Sequence, residues 1–195
     1  MKHAAGQGLP RRGFLALGLS TGITVALATE AKAVGVGYQY QVQQTQSWCS
    51  AASSRIALTA RDHFPTQSSL AASLGLSGGQ GLQDPLAIAR VLNDRLNIGG
   101  RAQRYYFRQP AAGTLKAQLR SRVVASIDAG YAVVINMNQV DSTVFSSGHY
   151  IAIVGYGAGT YKIADPVTAA RNGVWRDEDD IVRWNKLNRF TAYGA

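Results

Sequence analysis

The chain has 195 residues, 46% of them apolar and 16% charged, with a formal net charge of +9. That length suits one packed domain rather than two, and apolar residues spread along the whole chain exclude a largely disordered protein. A single cysteine excludes an internal disulfide framework and every multi-cysteine zinc pattern, and no apolar run reaches the roughly 20 residues of a membrane span.

The longest apolar stretch, Phe14 to Ala28, has 15 residues; Arg11 and Arg12 precede it and Ala31-Lys32-Ala33 follows. Basic, apolar and small-residue regions in that order are those of a cleaved export signal. The run Arg11-Arg12-Gly13-Phe14-Leu15 resembles the bacterial twin-arginine signal, a receptor-read address rather than an anchor. Residues 1–33 are therefore expected to direct export to the periplasm or the medium, leaving residues 34–195 as one domain. Removing four basic and one acidic side chain leaves 16 Lys plus Arg against 10 Asp plus Glu, a net of +6. Such a charge favours encounters with anionic surfaces and specifies no reaction.

From Val34 to Gln46 the chain is polar and Gln-rich and reads as extended. Between Cys49 and Arg61, Ala52, Ile56 and Ala60 recur every four residues, which predicts a helix with one buried face and Ser47 as its N-cap. Further helices are expected from Ser68 to Leu74 with a stop at Gly75, from Asp84-Pro85 through Leu96, and from about Thr114 to Ala129 with a stop at Gly130. Tyr131 to Met137, Tyr150 to Val154 and Tyr161 to Ala164 are short apolar runs between turn residues, and so strands. An N-terminal helical part followed by an antiparallel β-sheet makes an α+β domain.

Cys49 stands where the first helix begins, and unpaired backbone N–H groups and the macrodipole there favour thiolate over thiol. A thiol nucleophile also needs an imidazole partner and donors for the oxyanion. His63 lies 14 residues on, mostly along the same helix and so roughly 20 Å away, which leaves His149 at the mouth of a strand. If the turn Gly155-Tyr156-Gly157-Ala158-Gly159 is centred on Gly157, His149 stands opposite Asp165, Ile151 opposite Ile163 and Ile153 opposite Tyr161. Directly opposed side chains are roughly 5 Å apart at Cβ, so Asp165 can hold the second ring nitrogen.

Gln43-Gln44-Thr45-Gln46-Ser47-Trp48-Cys49-Ser50-Ala51-Ala52, with Gly148-His149-Tyr150 and Asp165-Pro166, resembles the papain-like cysteine peptidases. The resemblance is to their compact bacterial group, which includes the leader-peptide peptidases of bacteriocin exporters and secreted effector proteases of plant pathogens. It implies the papain-like fold, with Cys49 as nucleophile, His149 as its partner, Asp165 as orienter and Gln43, six residues before the cysteine, as oxyanion donor. Gln44 or Gln46 takes that place if the loop is shifted. It further implies a protein or peptide substrate, no cofactor or metal, and a monomer. The rival readings are a non-catalytic secreted binding module on the same fold and a cell-wall amidase or acyltransferase.

Other motifs weigh less. Gly155, Gly157 and Gly159 lead into a strand and lack phosphate-loop spacing. Arg101, Arg104 and Arg108 interleave with Tyr105, Tyr106 and Phe107, a pattern commoner in half-buried strands than in nucleic-acid surfaces, and no nucleic-acid partner is expected. Asp177-Glu178-Asp179-Asp180 lacks the spacing of a calcium loop and reads as a solvated acidic turn.

Overall fold

The computed structural model describes residues 33–195 except Gly78, so the expected export signal lies, but for Ala33, outside the described residues. The described chain is an antiparallel sheet with helices on both faces. Its strands are β1 (Val34–Gly35), β2 (Tyr105–Arg108), β3 (Val133–Val140), β4 (Thr143–Gly157), β5 (Thr160–Ala164), β6 (Asn172–Asp177) and β7 (Phe190–Tyr193). They lie in the order β2-β7-β3-β4-β5-β6, with β1 added alongside β4. The helices are α1 (Cys49–Thr59), α2 (Gln67–Ser73), α3 (Leu86–Arg95), α4 (Leu115–Asp128) and α5 (Glu178–Trp184).

Alternation along the strands divides the core into two layers. Val134, Ala152, Val154 and Ala164 face α1, α2 and α3, whereas Val133, Ile135, Ile151, Ile153 and Ile163 face α4 and α5. The helical first half and the sheet that follows agree with the expected α+β class.

Helix α1 is buried on every side rather than along one face. Its small Ser and Ala residues let neighbouring backbone come close, and Arg55 and Thr59 find partners in the segments on either side of it. Arg55 donates to Pro65 O and to Gln39 Oε1, and the Gln39 N–H donates to Thr59 Oγ1. That segment crosses from the sheet, where Val36 N–H meets Val154 O, to the turn after β5, where Gln43 N–H meets Pro166 O. Gln67 pins its middle through Val42 O and the Gln44 N–H.

Several expectations need correction. The N-cap of α1 is Trp48, with no side-chain cap bond, while Ser47 Oγ lies 3.3 Å from Thr45 Oγ1 instead of over the helix end. Strand β4 runs seven residues before and three after the predicted Tyr150 to Val154, because its polar first half pairs with β3 through Val140–Thr143 and Gln139–Val144. The acidic run is not a solvated turn: Asp177 stands at the N-cap position of α5 with no side-chain cap bond, and Glu178, at 8% exposure, pairs with Arg120 at 2.7 Å.

The hairpin register also differs. Gly157 pairs with Thr160 and Tyr156 with Tyr161, so the turn is the two residues Ala158-Gly159; Val154 is then an extra residue on β4, and Ile153 faces Ile163. Continued to the strand end, this places Ile151, not His149, opposite Asp165.

Candidate active site

Cys49, the first residue of α1, is 7% exposed, and the N–H groups of that first turn have no helical carbonyl to meet. Because no side chain caps them, they stay available beside the thiol. Ser53, one turn on, donates its hydroxyl to Tyr150 O at 2.8 Å and ties the helix to the strand that carries His149. Gly148 precedes that histidine with φ +80°, a conformation that favours glycine, and a Cβ there would stand 3.1 Å from Asn136 Nδ2.

His149 Nε2 lies 2.6 Å from Asp165 Oδ1, and both residues are buried. Cys49 lines the same recess as the ring. Burial pulls the imidazolium pKa down, but the hydrogen bond of Asp165 and the charges of Asp165 and Cys49 outweigh it and raise the value to about 9. Phe145 stacks on the imidazole with centroids 4.1 Å apart and planes 17° from parallel. Asp165 Oδ1 also accepts the Val167 N–H at 3.0 Å, while Oδ2 lies 3.3 Å from Arg171 Nη1. Tyr40 donates to Asp165 O, and burial, with Asp165 next, raises its phenol to about 12.

The structure therefore brings Cys49, His149 and Asp165 into one cluster, with the thiol beside the ring and the carboxylate bonded to it. Gln43 lines the same recess, but its amide nitrogen donates to Thr45 O at 2.9 Å and Gln46 O at 3.0 Å, and its Oε1 is buried without a partner. Gln46 borders Cys49 on two sides, and Gln44 borders neither recess. Phe145 and Arg171 were not singled out from sequence; a lone Phe in a polar stretch and an Arg after a turn carry no local signal.

Two recesses meet at the thiol and share Cys49, Gln46 and Gly148. One, of about 270 Å³, has Gln43, Phe145, His149 and Val167 in its wall; the other, of about 400 Å³, is lined by polar and glycine residues including Ser47, Gln80 and Ser147. A larger recess, about 560 Å³ between α3 and β2, contains none of Cys49, His149 and Asp165. The thiol and imidazole, rather than size, mark the site.

Among the described residues no helix is long and apolar enough to cross a membrane, and no group of three or more His, Cys, Asp or Glu side chains is placed to hold a metal ion.

Solved structures with the same architecture include a double glycine motif protease from an AMS/PCAT transporter, crystallised with its leader peptide (13% identity, TM-score 0.55, covering 82% of this chain and 93% of that one). A C39-like peptidase described from Bacillus anthracis matches with 13% identity and TM-score 0.59, over 84% of this chain and 98% of that one. The peptidase domain of Streptococcus ComA, a bifunctional ABC transporter of a quorum-sensing pathway, matches with 14% identity and TM-score 0.56, over 81% and 98%. At such identities the likeness speaks for the fold alone. No curated protein matches the chain. Residues 36–193, nearly the whole described domain, match the Peptidase_C39 like family, and the chain accordingly belongs to that family of cysteine-type peptidases.

Proposed function

We propose that the protein is an exported thiol hydrolase that cleaves amide bonds in protein or peptide substrates with Cys49, His149 and Asp165. The cluster of these three side chains, with Cys49 and His149 lining one recess and Asp165 bonded to the ring behind them, carries this reading.

In the reaction, Cys49 Sγ attacks the substrate carbonyl carbon and its oxygen becomes an oxyanion. The Cys49 N–H and one N–H of Gln43 stabilise that charge. Gln43 serves by giving up its bond to Thr45 O or Gln46 O, which its place in the recess supports. The C–N bond then breaks, the departing amine takes the proton of the His149 imidazolium, and a thioester remains. Neutral His149 next removes a proton from water, whose oxygen attacks the thioester; the acid leaves and the thiolate and imidazolium are restored. Asp165 holds the ring by Nε2 throughout.

Residues 1–33 are the proposed twin-arginine export signal and residues 34–195 the working domain, acting as a monomer in the periplasm or medium. The test is digestion of a denatured protein by residues 34–195 beside Cys49→Ala and His149→Ala. The reading predicts cleavage lost in both variants. Full activity in Cys49→Ala ends it, and digestion of purified peptidoglycan with no action on protein assigns the site to wall amide bonds instead.

A further inference from the structure

Asp165 has no exposed surface, and a buried carboxylate is costly unless its charge is compensated. Its compensation extends past His149. Arg171, 15% exposed, follows the turn after β5 and places Nη1 3.3 Å from Asp165 Oδ2 and Nε 3.3 Å from Asp141 Oδ2. Its Nη2 donates to Thr143 Oγ1 at 2.7 Å. Asp141, in the turn between β3 and β4, is gripped in turn by Arg176 of β6 through contacts of 2.7 and 3.0 Å. Arg176 foremost, with Arg171 after it, holds the Asp141 carboxyl below the usual range against the opposing pull of burial.

We propose that Arg171 is a positioning residue of this site: its guanidinium, bridged between Asp165 and Asp141, is a fixed counter-charge that weakens the hold of Asp165 on the His149 imidazolium and lets the ring release its proton in each turnover.

The proposal rests on the catalytic reading above, in which His149 must be charged to protonate the departing amine and neutral to accept a proton from water. A buried carboxylate 2.6 Å from the ring opposes the second state, because losing the proton leaves an anion with no cation beside it. Arg171 keeps its charge through the cycle and supplies that cation. Its division between two carboxylates limits the effect, so His149 remains the stronger partner of Asp165. The charged and titratable groups facing this cluster are few. Cys49 comes from α1, Tyr150, beside Cys49, from β4, Tyr40 from the segment before α1, Asp165 from the end of β5, Arg171 from the following turn, Asp141 from the β3–β4 turn and Arg176 from β6; Phe145 covers the ring without a charge.

The test is an NMR titration of the His149 ring in the whole protein, which reports on the ring whether or not substrate is turned over. Arg171→Met is expected to move the His149 pKa up by about one unit, as removal of a nearby cation does. Arg171→Lys, which keeps the charge and loses the fork, returns most of the shift. Asp141→Asn removes the competing anion and moves the value down. An unchanged or lowered value in Arg171→Met overturns the proposal and leaves Arg171 a structural bracket. Should that variant not fold, Asp141→Asn decides, and an unmoved titration there overturns it as well. Failure of the catalytic reading is recognised separately, by full cleavage activity in Cys49→Ala.

Discussion

His149 and Asp165 meet at 2.6 Å although they are two positions away from being directly opposed across β4 and β5. Side chains in a strand alternate between faces, so what matters for a contact is parity. The Ala158-Gly159 turn alone gives a register that puts Asp165 on the face opposite His149. The extra residue Val154 shifts the pairing by one and returns Asp165 to the face of Ile151 and His149. A β-bulge of this kind re-aims a functional side chain. Deleting Val154 removes the extra residue yet leaves Ile153 opposite Ile163, so His149 and Asp165 keep one face and cleavage is expected to survive; a folded but inactive deletion variant contradicts this register.

The charge on His149 sets a pH dependence. Its pKa in the folded protein, about 9, lies above the ordinary 6.5, so the protonated ring stabilises the fold fully below about 6.5 and this contribution is lost as pH rises through about 9. Asp165→Asn keeps the shape and removes the charge, so the His149 titration is expected to fall toward 6.5. The stability difference between wild type and variant, read from denaturant unfolding, then shrinks as pH rises from 6.5 to 9. A difference that grows over that interval contradicts the ion pair.

Which glutamine serves the oxyanion is decided by kinetics. Removing a single oxyanion donor typically costs on the order of 100- to 1000-fold in kcat. Gln43→Ala is expected to lose this much and Gln46→Ala far less, with KM little changed in the former. The reverse order assigns the role to Gln46, which borders the thiol on both sides.

Phe145 shields one face of the imidazole. Phe145→Ala is expected to speed exchange of the His149 Nε2 proton with water and to lower kcat/KM by about fivefold, the scale of an aromatic contact worth about 1 kcal/mol. Unchanged proton exchange contradicts the shielding.

Gly155 tests how the start of the domain is held. A Cβ on it would stand 2.6 Å from Val34 O and 3.2 Å from Gly35 Cα, so Gly155→Ala must displace β1 from β4. The expected cost is about 1–3 kcal/mol in denaturant unfolding, as overpacking usually gives. Wild-type stability contradicts the close approach.

Much of this organisation can be read from the chain itself. Four helices follow from periodicity and their Gly, Thr and Asp-Pro punctuation, and Cys49 and His149 stand out because a lone thiol has few possible partners. Asp165 is reached through an idealised hairpin two residues out of register; the contact survives because an even displacement keeps the face. A bulge leaves no mark in an apolar run such as Ile151 to Val154. The first half of β4, Thr143 to Gly148, is polar and reads as loop, since only its pairing with β3 makes it strand. Arg171 and Phe145 act through partners brought close by that pairing, and so neither is visible before the fold is known.

The central claim, that Cys49 and His149 form a reactive pair, is tested most directly by the rate of iodoacetamide alkylation at pH 6, wild type against His149→Ala. The only cysteine in the chain makes the label unambiguous. Prompt labelling of the wild type, slowed at least about tenfold in the variant, is the predicted result, because the imidazolium favours the thiolate that reacts. Equal rates in the two folded proteins contradict the pair and leave Cys49 an ordinary buried thiol.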